Sequence, residues 1–230
     1  MNNSERQPSD IFTGIILSKN KIAYNTFHIK VQSRDFSTIQ YAAGYTAEIF
    51  LCDPYYSPRS RSREYAFWNY EPVYHTADFV ITAEDSSVKD WMCTAQEGDS
   101  VFFRRFLNET VTDHSGNQYF LIGDHTGLSF LYEINRALAV SKKVESFIYS
   151  KHPGRLFPDL DHSFPLNFSV INPLHPENIL EYIRKHFPGN IKNSRVYLAG
   201  GMKINSLISE FLQKEYSFEP KNIYLKNFRS

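Results

Sequence analysis

Residues 113–127, which read DHSGNQYFLIGDHTG, mark the point at which the hydrophobic pattern of this chain changes. A polar turn is followed by a compact apolar strand at residues 119–122 and a glycine-containing turn that opens a helix at residues 128–139. Before this stretch the apolar residues recur with the period of strands, and after it strands alternate with helices. The pattern predicts a β-barrel domain, residues 1–117, followed by an α/β domain, residues 118–230.

The N-terminal half contains short β-rich segments separated by Pro, Gly, Asp and Ser. Strands at such regular spacing predict a small antiparallel barrel. One segment, residues 85–95, differs because its apolar residues recur at the spacing of one helix face. The predicted strands are residues 13–17, 23–31, 46–51, 65–70, 76–82 and 100–106, with a hairpin turn at residues 18–21.

The C-terminal half alternates strands with helices, which predicts a parallel, doubly wound sheet. A proline near the start of one helical segment supports its N-terminus. The predicted strands are residues 119–122, 144–149, 166–171, 195–199 and 222–225, and the predicted helices are residues 128–139, 176–186 and one around 207–212.

The composition excludes several classes of function. Lys+Arg and Asp+Glu both number 25, so no net positive charge attracts nucleic acid. The 2 cysteines, Cys52 and Cys93, are too few for a cysteine-ligated iron–sulfur cluster, a cysteine-type zinc site or a disulfide framework in this chain. The polar residues 1–10 and the short apolar run at 15–17 form neither a signal core nor a membrane span. We therefore expect a soluble, cytoplasmic protein.

A barrel followed by a doubly wound sheet leaves a crevice into which the carboxyl ends of the parallel strands point. Arg63 and Tyr65 lie two positions apart on one predicted strand, so their side chains share a face that could hold a diphosphate and a flat ring. A surface arginine beside core aromatic residues is the alternative interpretation. Ser86 and Ser87 begin the short helix, where free N–H groups bind pyrophosphate, although a plain serine N-cap has the same appearance.

Two glycine-containing turns leave strands of the α/β half and open helices. The first spans residues 123–127, with Gly123 and Gly127 at its ends, and the second contains Gly200 and Gly201. Each permits close approach of a nucleotide, but a single turn of this kind is weak evidence.

The order of these pieces resembles the ferredoxin–NADP reductase superfamily. The pieces are Arg-x-Tyr at residues 63–65, a serine-rich helix start followed by Trp91, the segment Glu97-Gly98-Asp99, and the glycine-containing turn at residues 123–127. Within the superfamily the chain looks most like the siderophore-interacting proteins, which are FAD-dependent ferric-siderophore reductases. Segments 89–92 and 98–99, turn 123–126 and the ending at residues 224–228 carry this closer similarity, which spans nearly the whole chain.

The resemblance implies an FAD-dependent NAD(P)H oxidoreductase. Tyr65 would lie against the isoalloxazine ring, Ala66 at the flavin N5 edge, and Arg63 at the pyrophosphate. NADH or NADPH would donate a hydride, and a ferric siderophore would accept electrons and release iron as Fe(II). The other implied residues are Ser86, Ser87 and the Val88 amide at the phosphates, Phe67, Trp68 and Phe228 near the flavin, with Phe228 covering the ring, and Gly123, Thr126, Gly127, Gly200 and Gly201 at the nicotinamide nucleotide.

Three departures from the family pattern bear on the flavin site. Ala66 stands where relatives have Ser or Thr, so no side-chain hydroxyl is present there. Glu84 and Asp85 stand where the siderophore proteins have His-Gly, and their negative charge is unfavourable beside a pyrophosphate unless they point away. Ala199 replaces the cysteine of the reductases' Cys-Gly pair. A non-catalytic or flavin-poor binding protein and a reductase of a separate protein electron carrier therefore remain alternatives.

Other charged and aromatic groups admit two interpretations each. Lys151 and Arg155 could prefer a 2′-phosphate and hence NADPH, or could be solvated charges. No two of the 8 histidines lie at i, i+4 with a carboxylate, so no metal site is expected. A basic and aromatic loop could imitate a nucleic-acid patch, but net neutrality favours a role at flavin phosphate or siderophore. That loop contains Tyr55, Tyr56, Arg59, Arg61 and Arg63.

Overall fold

The computed structural model describes residues 11–57, 60–188 and 191–228. The predictions about residues 1–10 and about Arg59 lie outside the described residues. Within the described part of the chain, no helix is both long and apolar enough to cross a membrane.

The N-terminal half is a closed antiparallel barrel of six strands in the order β1-β2-β5-β4-β3-β6, as the strand period predicts. Strand β3 begins just after Gly44, whose φ of +103° is readily adopted by glycine. A side chain there would place its Cβ 2.2 Å from the carbonyl oxygen of Thr110. The strands are β1 Phe12–Ala23, β2 Thr26–Gln32, β3 Thr46–Phe50, β4 Ser62–Glu71, β5 Thr76–Thr82 and β6 Ser100–Leu107.

The predicted hairpin turn at residues 18–21 is wrong. Strand β1 continues through these residues, and Lys19 and Lys21 pair with Ile29 and Phe27 of β2. The turn lies instead at residues 24–25, where Asn25 adopts the left-handed conformation with φ of 51°. Polar residues are tolerated in β1 because this part of the strand is partly exposed to solvent.

The barrel core is built from aromatic rings. Phe36, Phe67, Phe79 and Phe103 are each fully buried and contact one another edge-on or tilted. The chain is rich in aromatic residues, with 15 Tyr and 19 Phe, and packing accounts for these four without a ligand.

The C-terminal half is a parallel five-stranded sheet in the order β11-β10-β7-β8-β9. The chain leaves β7 toward β8 on one side and returns to β10 on the other, so the β7–β10 boundary is the topological switch point. Helix α2 covers the face toward the barrel, and α3 and α4 cover the other face. The strands are β7 Gln118–Asp124, β8 Lys143–Ser150, β9 Phe168–Val170, β10 Ser194–Gly200 and β11 Ile223–Asn227; the helices are α1 Ser86–Thr94 in the barrel half, α2 Leu128–Ala137, α3 Pro176–His186 and α4 Met202–Tyr216, with 3-10 turns at Arg34–Thr38, Pro153–Arg155 and Pro220–Asn222.

A second core joins the two halves. Ala66, Trp68 and Val80 of the barrel pack with residues of β7, β10 and α2, and we call this cluster the interface core. Strand β6 ends at residue 107 and β7 begins at residue 118. The domain boundary at residue 117 stays a prediction.

Candidate functional site

One pocket in the crevice collects residues from both halves of the molecule. The barrel side provides Arg63, Tyr65 and Val88, and the α/β side provides Thr126 and Phe228. Five of the residues predicted for a cofactor site therefore line a single pocket. Its volume is about 30 Å³, close to that of one liquid water, so a flat ring could enter only if a lining side chain moved.

Tyr65 is half-buried at the edge of the barrel. Strand β4 presents its side chains alternately to the barrel core and to the interface core, and Tyr65 packs partly against the barrel core while also lining the pocket. Burial raises the pKa of Tyr65 well above its usual range, so the phenol is neutral. A neutral aromatic ring at this position is suited to contact with another flat ring.

The two residues after Tyr65, Ala66 and Phe67, do not line this pocket, although Glu64 before it does. Ala66 is 3% exposed and belongs to the interface core, and it does not line the pocket. The ring of Phe67 points into the barrel core and has no exposed surface, so the prediction that this ring lies near a flavin is wrong. Strand alternation explains both positions, because residues 65 and 67 turn toward the barrel and residue 66 toward the α/β half.

Trp68 is also a core residue and not a cofactor-facing one. Its ring is 3% exposed in the interface core, and its Nε1–H donates to Oδ1 of Asp159 over 2.8 Å. Phe228, by contrast, lines the pocket with one side while it packs against Phe130 with its ring centroids 6.1 Å apart. Its backbone N–H donates to the carbonyl oxygen of Gly200, which holds Phe228 at the pocket.

Asp85 caps helix α1, so the alternative interpretation of Ser86 and Ser87 as a plain serine N-cap is wrong. Its Oδ1 accepts from the backbone N–H of Val88 over 2.9 Å, and its Oδ2 accepts from the guanidinium of Arg63 over 3.0 Å. The Val88 N–H and the Arg63 cation together lower the pKa of Asp85, so the carboxylate is ionised at neutral pH. Two of the donors predicted to hold a pyrophosphate, the Arg63 guanidinium and the Val88 amide, are therefore both engaged by one carboxylate of this chain.

Glu84 is held by cations of the α/β half. It accepts from Nε2 of His125 over 2.9 Å and from the guanidinium of Arg155. The hydrogen bond from His125 and the Arg155 charge hold the pKa of Glu84 below its usual range. These bonds tie Glu84 to the α/β half, while it lines the same pocket as Arg63.

A third carboxylate, Asp124, ties the two glycine-containing turns together. Its Oδ1 accepts from the backbone N–H of Thr126 over 2.8 Å and from the Thr126 hydroxyl, and its Oδ2 accepts from the N–H of Gly201 over 2.9 Å. Two of the amides predicted to receive a nucleotide are therefore engaged within the protein.

The glycines of these turns permit close packing of the chain on itself. A Cβ on Gly127 would lie 2.5 Å from the carbonyl carbon and oxygen of Ala199, and one on Gly123 would lie 2.1 Å from the same oxygen. Gly200 has a φ of +144°, and a Cβ there would meet the Asp124 carboxylate at 2.5 Å. These glycines bring β7, α2 and β10 together at the switch point.

A larger cavity of about 720 Å³ lies along one face of α1 and the loop before β4. Its volume is within the range of small-molecule sites, roughly 300–1,000 Å³. Ser87 and Trp91 line it from the helix, and Arg61 lines it from the loop. The cavity therefore begins beside the residues predicted to hold phosphate.

A basic pocket of about 190 Å³ lies at the carboxyl ends of β7 and β8. Lys151, His152 and Arg155 line it, together with Tyr149. The hydroxyl of Tyr149 and the Nε of Arg155 are buried without a hydrogen-bond partner. Buried polar groups are normally paired, so these two atoms indicate a ligand or a water at this pocket.

Reasoning from the sequence missed the roles of Asp124 and Asp159 and recognised Asp85 only as an unfavourable charge. The position of Asp85, directly before a helix start, is a standard N-cap signal that could have identified its bond to Val88. Nothing local indicates that Asp124 meets Gly201 or that Asp159 meets Trp68, because these two partners come from other elements. Among the described residues, no group of three or more His, Cys, Asp or Glu side chains could hold a metal ion.

No family model matches the chain, and no curated protein sequence matches it. The structure is similar to a siderophore-interacting protein from Acinetobacter baumannii, with a TM-score of 0.77, 14% identity, and coverage of 96% of this chain and 91% of that chain. A siderophore utilization protein from T. fusca has a TM-score of 0.76 and 14% identity, with coverage of 97% of this chain and 94% of that chain. Phthalate dioxygenase reductase has a TM-score of 0.71 and 13% identity, with coverage of 94% of this chain and 68% of that chain.

These likenesses show the fold. The barrel followed by a parallel sheet is the arrangement shared by siderophore-interacting proteins and ferredoxin-reductase-like proteins, and the resemblance inferred from the sequence is confirmed at that level.

Proposed function

We propose that this chain is a flavin-dependent oxidoreductase that binds FAD in the crevice and accepts a hydride from NADH or NADPH. The observation that carries this proposal is the convergence of Arg63, Tyr65, Val88, Thr126 and Phe228 on one pocket between the barrel and the sheet. The fold shared with reductases supports it.

The residues present have the chemistry that FAD requires. Tyr65 would contact the isoalloxazine ring, and Phe228, which now fills the space beside it, would be displaced to cover the ring. Arg63 and the N-terminus of α1 would hold the diphosphate. The cavity of about 720 Å³ beyond Ser87 has room for the adenosine end. A bound flavin would take up the hydride and pass single electrons onward, while the protein orients it.

The basic pocket supports NADPH as the donor. Lys151 and Arg155 would meet a 2′-phosphate, and the unpartnered hydroxyl of Tyr149 would gain a hydrogen-bond acceptor. The pocket lies at the carboxyl end of the sheet, where nucleotides bind in doubly wound folds.

A ferric siderophore is the proposed acceptor. Tyr55 and Tyr56 are 64% and 89% exposed on the loop that precedes Arg61. These rings, together with the positive charge of Arg61 in the larger cavity, suit an aromatic, anionic chelate. Cys52 and Cys93 are too few for an iron–sulfur cluster, so the electrons would leave the chain to an external acceptor. A separate protein electron carrier is the alternative acceptor.

Reconstitution tests the proposal. The purified chain, incubated with FAD and desalted, should retain a flavin absorption spectrum that NADPH bleaches under anaerobic conditions. Ferric chelates should then reoxidise the flavin faster than ferredoxin or flavodoxin does. Protein that retains no flavin after reconstitution would contradict the proposal, and faster reoxidation by ferredoxin would assign the protein carrier as acceptor.

A binding protein that lacks flavin is the second candidate. It is favoured by the carboxylates of Asp85 and Asp124, which already engage amides at both places where a cofactor's phosphates would bind. In that case the chain should bind ferric chelates, measured by quenching of Trp91 fluorescence, with FAD having no effect on the titration.

A further inference from the structure

Asp85 makes the contacts that a bound phosphate would make. Its two carboxylate oxygens have separate partners, the N–H of Val88 at the start of α1 and the guanidinium of Arg63 on β4. A helix N-terminus and an arginine are the two donors that most favour a phosphate. One side chain of this protein thus occupies both donors at once.

The position is accessible to exchange with a ligand. The Asp85 side chain is 36% exposed and the Arg63 side chain 21%, so the carboxylate can rotate into solvent without breaking a buried core. Glu84 lines the same pocket but does not take its place, because its carboxylate is bound by His125 and Arg155 of the α/β half. Release of Asp85 therefore leaves the Val88 N–H and the Nη2 of Arg63 free for another anion, while Nη1 of Arg63 still donates to the carbonyl oxygen of Ser62.

We propose that Asp85 is a determinant of flavin specificity, which competes with the diphosphate of FAD for Arg63 and the N-terminus of α1. This inference rests on the proposed flavin site. An incoming diphosphate must displace the carboxylate, and it then lies beside the displaced negative charge. Asp85 therefore reduces the advantage that FAD has over riboflavin, which carries no phosphate.

Two variants isolate this effect. Asp85→Asn removes the charge while its amide oxygen still caps α1, and Asp85→Ser keeps a capping hydroxyl that is shorter than the carboxylate. Glu97→Gln is the matched control, because Glu97 is exposed beyond the end of α1 and loses the same charge. Titration of each protein with FAD and with riboflavin, followed by flavin fluorescence, gives the ratio of the two dissociation constants.

We expect Asp85→Asn and Asp85→Ser to tighten FAD binding about tenfold, because the competing charged hydrogen bonds are removed. The riboflavin affinity of both Asp85 variants should equal that of the wild type. Glu97→Gln should bind FAD and riboflavin with wild-type affinities. If the wild type and the Asp85 variants bind both flavins with the same ratio of dissociation constants, the proposed role of Asp85 is overturned. The proposed flavin site is then unaffected, because the flavins still bind. Absence of binding to either flavin in every protein would overturn the proposed function, and this inference with it.

Discussion

The indole N–H of Trp68 on the barrel donates a 2.8 Å hydrogen bond to the carboxylate of Asp159 in the α/β half. The same oxygen accepts from the guanidinium of Arg136, which also donates to the backbone carbonyl of Trp68. Arg136 pairs in addition with Glu133, which accepts from the hydroxyl of Tyr41 on the barrel side. A buried polar network thus fixes the two halves against each other, and the crevice between them keeps its shape.

Replacement of Trp68 should destabilise this interface. Trp68→Phe keeps an aromatic ring but removes a hydrogen bond to a buried carboxylate, so we expect a loss of about 2 kcal/mol in the free energy of unfolding in urea. Trp91→Phe is the control, because Trp91 is only partly buried on α1. Equal losses in the two variants would show that the bond to Asp159 contributes nothing measurable.

The turn after β7 should not accept a side chain. In Gly127→Ala the new Cβ would lie 2.5 Å from the carbonyl group of Ala199, so β10 or α2 must shift. We expect a loss of about 2 kcal/mol and a lower melting temperature. Gly154→Ala, where nothing lies within 4 Å of the added Cβ, should melt like the wild type. A wild-type melting temperature for Gly127→Ala would mean that the turn can accommodate a methyl group without a loss of stability.

Stability should depend on pH through Asp113. Although burial opposes it, hydrogen bonds from Ser115, Tyr224 and Arg195 hold the pKa of Asp113 well below its usual range. Because the pKa is lower in the folded state, this stabilisation is fully present above the unfolded pKa of about 3.9 and is lost as the pH falls below it.

Asp113→Asn should therefore be less stable than the wild type by about 2 kcal/mol at pH 7, and the gap should narrow below pH 4. Urea unfolding at several pH values measures both. A gap that is the same at pH 7 and at pH 3 would assign the loss to geometry and not to the charge of Asp113.

The basic pocket should discriminate between the two nicotinamide donors. Lys151→Ala should raise the KM for NADPH about tenfold and leave that for NADH unchanged, because only NADPH carries the 2′-phosphate. Lys143→Ala changes a lysine at the opposite end of β8, paired with Glu145, and should affect neither donor. If Lys151→Ala raises the KM for NADPH and for NADH equally, this pocket does not bind the 2′-phosphate.

Tyr65 should be needed for flavin retention. Tyr65→Ala removes the proposed stacking surface and should weaken FAD binding about tenfold, whereas Tyr65→Phe should retain it. Tyr74→Ala, which truncates an exposed tyrosine on a distant loop, is the control for nonspecific loss. Unchanged FAD affinity in Tyr65→Ala would place the flavin ring elsewhere in the crevice.

Much of the fold could be predicted from the sequence, because strand and helix periods are local properties. The polar residues at 18–21 misled the hairpin prediction, since they lie on a partly exposed part of β1 and pair normally with β2. For the candidate site, Arg63, Tyr65 and Phe228 could be identified from motif order. The position of Phe67 could not be assigned, because Phe67 and Tyr65 share one face of β4. Only closure of the barrel places Tyr65 at its edge and Phe67 in its core.

The sequence by itself determined the order of strands and helices and the groups available at each turn, since periodicity and turn chemistry act over a few residues. The tertiary structure decided which anion each of those groups meets. Arg63 and Asp85 are 22 positions apart, and Asp124 and Gly201 are 77 positions apart. Such pairs form only when a barrel closes and parallel strands align, and a local pattern contains no information about either event.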